Sequence, residues 1–244
     1  MGQAKIKKLL QDKAVGAANA IDKDKLAAAV RHVVKASTDF HGADCLLFAA
    51  LGAEALRQLG VPAEVAAGSA AWRVGPGDSD VISHAREVTG TLYIQSGVQQ
   101  ALQFHAWIEA PGLLIDFSTH TLPLKAAQLD EADGGRTSVN WAPDFLWIDQ
   151  EHITGRRKTP GDVVQAPNEG QFCYVRHLDI ENTILPTAAI MIREAPSAVA
   201  ATIAAYRSLI QGSQVQVISY GEDGSLQEEP DHQSLIRVRP GDRA

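Results

Sequence analysis

From Cys45 to Leu59 the chain reads Cys-Leu-Leu-Phe-Ala-Ala-Leu-Gly-Ala-Glu-Ala-Leu-Arg-Gln-Leu, apolar on almost every side through its first turns. A helix without a polar face must be enclosed all round, so this stretch predicts a central helix around which the remaining elements pack. Gly60 and Pro62 stop it, and Asp44 stands where its N-cap belongs. Enclosing such a helix takes chain, and 244 residues with 45% apolar content are enough for a substantial core.

After Pro62 the period changes from helical to extended. Ala63–Val74 suits a strand, Gly75–Gly90 reads as a loop excursion, and Thr91–Gln95 is a short strand. Phe104–Glu109 and Leu113–Phe117 are two more strands, joined by Ala110-Pro111-Gly112. A short helix runs from Thr121 toward Asp130, with proline near its first position. Residues 131–171 are turn-rich and carry little periodic signal. Ser197–Gln211 is an amphipathic helix, Gln214–Tyr220 alternates as a strand, Gly221–Gly224 suggests a hairpin turn, and the last dozen residues read as a tail or late edge strand. Before the central helix, apolar positions Leu26, Val30, Val33 and Val34 mark a helix over Asp24–Ala36, and the stretch before Asp24 reads as a docked or frayed helix. A helix and then antiparallel strands, without βαβ alternation, is an α+β arrangement. It divides into an N-terminal helical segment, 1–40, and one domain, 41–244.

Several function classes are excluded. A net charge of −7 leaves no basic stripe for nucleic acid, and the compact run Arg156-Arg157-Lys158 reads as a solvated loop. Two cysteines cannot build a disulfide framework or a four-cysteine zinc site. No apolar run reaches membrane-span length, no signal-peptide pattern comes after Lys5, Lys7 and Lys8, and the expectation is a soluble cytoplasmic protein. Neither a GxGxxG nor a P-loop pattern occurs, so no cofactor is implied.

The chemistry concentrates at three residues. A thiol attacks only as thiolate, and a helix N-terminus stabilises that anion, so Cys45 at the start of the central helix is the candidate nucleophile. Its own backbone N–H belongs to the unsatisfied first turn and can face a developing oxyanion. If Pro111 and Gly112 form a two-residue turn, Ala110 pairs with Leu113, Trp107 with Asp116, and His105 with Ser118. His105, Trp107, Asp116 and Ser118 then share a face, and Asp116 becomes the diagonal neighbour of His105. A one-residue slip would undo this.

These residues resemble a known family. Cys45, Ala53, Leu56, Leu59-Gly60-Val61-Pro62-Ala63, Val65 and Gly68 look like the transglutaminase-like helix and first strand. His105-Ala106-Trp107-Ile108-Glu109, Gly112 and Asp116 look like the strands carrying that family's histidine and aspartate. The family lies within the papain-like cysteine-protease superfamily, and the match spans about residues 42 to 118. It extends to leader peptidases of lasso-peptide pathways and to uncharacterised bacterial proteins. The resemblance implies a papain-like fold and a Cys45, His105, Asp116 triad acting on a peptide or amide through a thioester.

Other residues carry weaker expectations. Trp107 packs on the sheet and shields the His–Asp pair, while Trp72, Tyr93 and Cys173 belong to the core. His41 flanks Cys45 in a solvated loop, His84 is the rival base without an orienting carboxylate, and His120 reaches the cleft mouth. His41, His84, His105 and His120 lack the spacing of a metal site. The rival functions are a non-catalytic papain-like binding module and an acyltransferase fed by a thioester donor.

Overall fold

The computed structural model describes residues 12–38, 44–84, 91–94, 97–100, 103–150, 159–220, 226–227 and 235–238, the strands at 91–94, 97–100, 226–227 and 235–238, and residues 217–220, by backbone alone. A helical segment at 12–19 leads into helix α1 (Lys23–Ser37), capped by the Asp22 carboxylate, which accepts from Lys25 N at 3.2 Å. Helix α2 (Cys45–Gln58) is the central helix: ten of its residues are buried, including Leu47, Phe48 and Leu51. Asp44 occupies its N-cap but makes no capping bond there, and its Oδ1 accepts from Thr38 Oγ1 at 3.3 Å instead. That corrects the expected side-chain cap.

The strands of the main sheet are β1 (Glu64–Arg73), β2 (Val81–His84), β5 (His105–Ala110), β6 (Leu113–Asp116), β7 (Leu146–Asp149) and β8 (Phe172–Arg176). The sheet is antiparallel: β1 pairs with both β2 and β5 along one edge and with β8 along the other, and β6 and β7 follow β5 in order. A hairpin of β3 (Thr91–Ile94) and β4 (Gly97–Gln100) stands apart. So does a small sheet of β9 (Gln216–Tyr220), β10 (Leu226–Gln227) and β11 (Leu235–Val238), in which β11 runs parallel to β9. The expected turn at Gly221–Gly224 lies outside the described residues, while β10 pairs antiparallel with β9 beyond it.

Alternation along each strand sorts the sheet into two faces. Ala67, Ala106, Ile108, Ile115 and Phe117 face the core made by α1, α2, α5 (Leu178–Glu194) and α6 (Pro196–Ile210). Ala66, Ala70, Trp72, Trp107, Leu114 and Tyr174 face the other way, under Leu122 and Ala126 of α3 (Leu122–Asp133). Gly52 sets how closely α2 approaches: a Cβ there would stand 2.7 Å from both Ile108 Cδ1 and Phe117 Cδ2. Glu181 anchors α5, accepting from Ala67 N at 3.1 Å and from Arg176 Nε at 2.7 Å.

Two segments differ from the sequence-based expectation. The expected loop Gly75–Gly90 contains β2, and its turn is fixed by Asp80, which accepts from Gly77 N at 2.7 Å and Ser138 N at 2.7 Å. The quiet stretch 131–171 holds β7 and the short helix α4 (Pro160–Val164), which is started by a Thr159–Asp162 capping box. Among the described residues no single helix is long and apolar enough to cross a membrane.

Candidate functional site

The β5–β6 hairpin has the expected register, with Ala110 opposite Leu113, Glu109 opposite Leu114 and Ile108 opposite Ile115. Gly112, at φ 77, supplies the left-handed residue that a proline-first turn needs in second place. Continuing that count past the last ladder pair brings Asp116 diagonally beside His105. His105 Nε2 and Asp116 Oδ2 lie 2.7 Å apart, and both side chains are buried.

Asp116 is surrounded by donors. Oδ2 also accepts from Tyr174 Oη at 2.7 Å, and Oδ1 accepts from Ser118 N at 2.8 Å and Ser118 Oγ at 2.7 Å. Trp72 Nε1 can only donate, and it donates to Tyr174 Oη at 3.0 Å, so the tyrosine's single proton points to Asp116. Burial pushes the Asp116 carboxyl up, but the charge and hydrogen bond of His105, with Tyr174 and Ser118, outweigh it and hold the group well below the usual carboxylate range. An ionised Asp116 accepts only, so Nε2 carries the proton of that bond. Tyr174 is a site residue that sequence reasoning missed; the alternation of Phe172-Cys173-Tyr174, which puts Tyr174 on the face opposite Cys173, is its signal.

The other ring nitrogen, Nδ1, is buried and has no partner of hydrogen-bond geometry. It is the nitrogen left for Cys45, whose thiol interacts with the ring closely enough to shift both groups. Burial raises the Cys45 pKa, but the imidazole as partner and charge, then Lys125 and the Ala106 backbone amide, bring it below the ordinary thiol value. Burial lowers the His105 pKa, and Asp116 together with Cys45 raises it above the ordinary imidazole value. The two shifts have one sense: each favours thiolate beside imidazolium. No hydrogen bond like the 2.7 Å His105–Asp116 bond joins the thiol to the ring.

How a thiol from a helix on one sheet face meets an imidazole on the other is a matter of topology. Gly68 of β1 pairs with His105, and Ala70 pairs with His84. On the opposite edge both residues pair with β8, so β2 and β5 lie end to end along the same edge. Among the described residues no strand pairs with the intervening Ser69 on that edge. Residues 85–104 are therefore an insertion into one strand path, leaving at His84 and returning at His105. The sheet is interrupted there, next to the N-terminus of α2.

His84 stacks on His105, with ring centroids 5.9 Å apart and planes at 12°. Its pKa is pushed down to about 2 by burial, then by the charges of Lys125 and His105, so it stays neutral. Trp72 meets His105 edge-on at 4.7 Å, and Trp107 stacks on it at 6.5 Å, closing the pair off as expected. His120 lies against Phe48 at 5.3 Å, and its pKa falls to about 4 through burial and the charge of Arg31. Cys173 is fully buried, while His41 and the Tyr93 side chain lie outside what is described. Lys125 is a second residue that sequence reasoning missed: it occupies the inward stripe Leu122, Lys125, Ala126, Leu129, where a lysine breaks the apolar pattern. A surface depression bordered by Pro62, Glu64, Glu109 and Gly112 sits at the hairpin turn, away from these groups.

Comparison with known proteins adds fold-level information. A family model described as "Protein of unknown function (DUF2026)" matches residues 21–135. No curated protein matches the chain. One solved structure, described as "The crystal structure of genomics APC5867", is 15% identical and covers 88% of this chain and 93% of its own, with a TM-score of 0.53. That is a likeness of fold.

Proposed function

We propose that this protein is a cysteine-dependent acyl-transfer enzyme of papain-like fold, working as a peptidase or amidase in the cytoplasm. The observation that carries the proposal is the oriented pair His105–Asp116, whose remaining ring nitrogen is left to a helix-N-terminal thiol. Cys45, as thiolate, adds to the amide carbonyl and forms a C–S bond, and the carbonyl electrons move to oxygen. The backbone N–H of Cys45, in the first turn of α2, is a donor for that oxyanion. Protonated His105 gives its proton to the leaving amine as the C–N bond breaks, producing a thioester. Water, deprotonated by His105, then adds to the thioester and releases the acid and the thiolate. Asp116 keeps the ring in one orientation and stabilises its charged form throughout.

One observation favours a second reading, a papain-like binding module without turnover: Cys45 is only 6% exposed and His105 only 1%. An amide probe with an electrophilic warhead separates the two. Turnover chemistry expects an adduct on Cys45, located by peptide mass spectrometry and lost in His105→Ala. No adduct, or one on Cys173, favours the binding module.

A further inference from the structure

Beside the triad lies a cation that the acyl-transfer steps do not use. Lys125 is 5% exposed, and its ammonium group makes no hydrogen bond or ion pair with another described residue. Its Nζ lies 5.6 Å from the centroid of the Trp72 ring. The same indole meets His84 at 5.8 Å and His105 at 4.7 Å, both edge-on. His84 adds an unsatisfied group, because its Nε2 is buried without a hydrogen-bond partner among the described residues. Buried charges are ordinarily paired, and buried polar atoms ordinarily bonded. Here a cation without an ion-pair partner among the described residues and an unsatisfied imidazole nitrogen flank one tryptophan, whose ring also meets His105.

We infer that Lys125 and His84 form a carboxylate-binding pocket next to Cys45, and that the substrate bears a carboxylate close to the carbonyl under attack. The inference rests on the acyl-transfer reading and narrows its substrate class. A carboxylate supplies the two things the pocket lacks, a counter-charge for the ammonium group and acceptor lone pairs. The neutral His84 contributes through its Nε2 proton in the corresponding tautomer. Asp116 cannot serve Lys125 in this way, since His105, Tyr174 and Ser118 already fill its lone pairs.

Two alkylating reagents with the same reacting carbon test this. Iodoacetate and iodoacetamide both receive the thiolate at CH2 and release iodide with the bonding electrons, but only iodoacetate carries a carboxylate. The ratio of their rates at Cys45 cancels the thiolate fraction, which is common to both. Lys125→Met, which restores the apolar stripe, should lower the iodoacetate-to-iodoacetamide ratio by about tenfold, the effect of losing one nearby charge at partly screened distance. Lys125→Arg should hold the ratio near that of the wild type, and His84→Phe should lower it by a smaller factor. An unchanged ratio in Lys125→Met overturns the pocket and leaves the nucleophile intact. A wild-type Cys45 that reacts with neither reagent overturns the acyl-transfer reading, and the pocket with it.

Discussion

Replacing Asp116 by Asn exchanges an anion that accepts four hydrogen bonds for a group that accepts on one side and donates on the other. With the new carbonyl turned to His105 and Tyr174, the amide NH2 faces Ser118. The Ser118 hydroxyl can rotate to accept, but the Ser118 N–H, 2.8 Å from Oδ1 in the native site, meets a second donor. Turned the other way, the amide satisfies Ser118 but denies Tyr174 Oη its acceptor and forces His105 Nε2 to accept. Either orientation orphans one buried donor, which costs about 1–3 kcal/mol. Asp116→Ala orphans more of them and should cost more. Because the Asp116 pKa is lowered in the fold, its contribution is complete above the ordinary carboxylate value of about 3.9 and is lost as pH falls toward the folded value. The stability gap between wild type and Asp116→Asn, read from urea midpoints, should therefore be full at pH 7 and narrow below about pH 4. In turnover, Asn should be less harmful than Ala, because one orientation keeps the ring in place. A loss near 10⁴-fold, as Asp→Asn gives in serine triads, would mark the flipped amide. Asn and Ala variants both as stable as wild type at pH 7 would refute the description of Asp116 as a fully bonded buried anion.

Tyr174→Phe should cost about 1–3 kcal/mol in urea unfolding, because Trp72 Nε1 loses its acceptor; unchanged stability would show that the Trp72–Tyr174 bond contributes nothing. Gly52→Ala gains about 1 kcal/mol of helix propensity but places a methyl 2.7 Å from two buried side chains. Overpacking of about 1–3 kcal/mol should cancel or exceed that gain, so a stabilised variant contradicts the close approach of α2 to the sheet. Replacing 91–100 with a short Gly-Ser bridge should alter substrate preference while Cys45 still reacts with iodoacetamide, since the insertion leaves and returns beside the site. Loss of that reaction would make the hairpin part of the scaffold.

The elements legible in the sequence are those with strong local periodicity. The unbroken apolar run after Cys45 marks α2, and the Pro111-Gly112 turn sets the register that brings Asp116 to His105. The rest depends on partners distant in sequence. β2 is only Val81–His84, and its strand character comes from pairing with Trp72 and its neighbours. Helix α5 carries Pro186 in its interior, and Glu181 of its first turn faces inward to Ala67, so its apolar pattern is broken and does not announce it. Tyr174 joins Asp116 through a β1–β8 pairing that spans more than a hundred positions of chain. Lys125 is visible as a charge in an apolar stripe, but its neighbours Trp72 and His84 come together only in the fold.

The central claim, a thiolate–imidazolium pair between Cys45 and His105, is tested most directly by the pH dependence of alkylation at the two cysteines. Limiting iodoacetamide at mildly acidic pH should modify Cys45 almost alone, because its pKa is lowered while Cys173 is fully buried in β8. In His105→Ala the pH midpoint for Cys45 should rise, since the imidazolium is gone and the helix N-terminus remains. Cys173→Ser should leave rate and midpoint where they were. A Cys45 midpoint that does not move without His105, or a Cys173 that reacts first, would contradict the pair and the catalytic reading built on it.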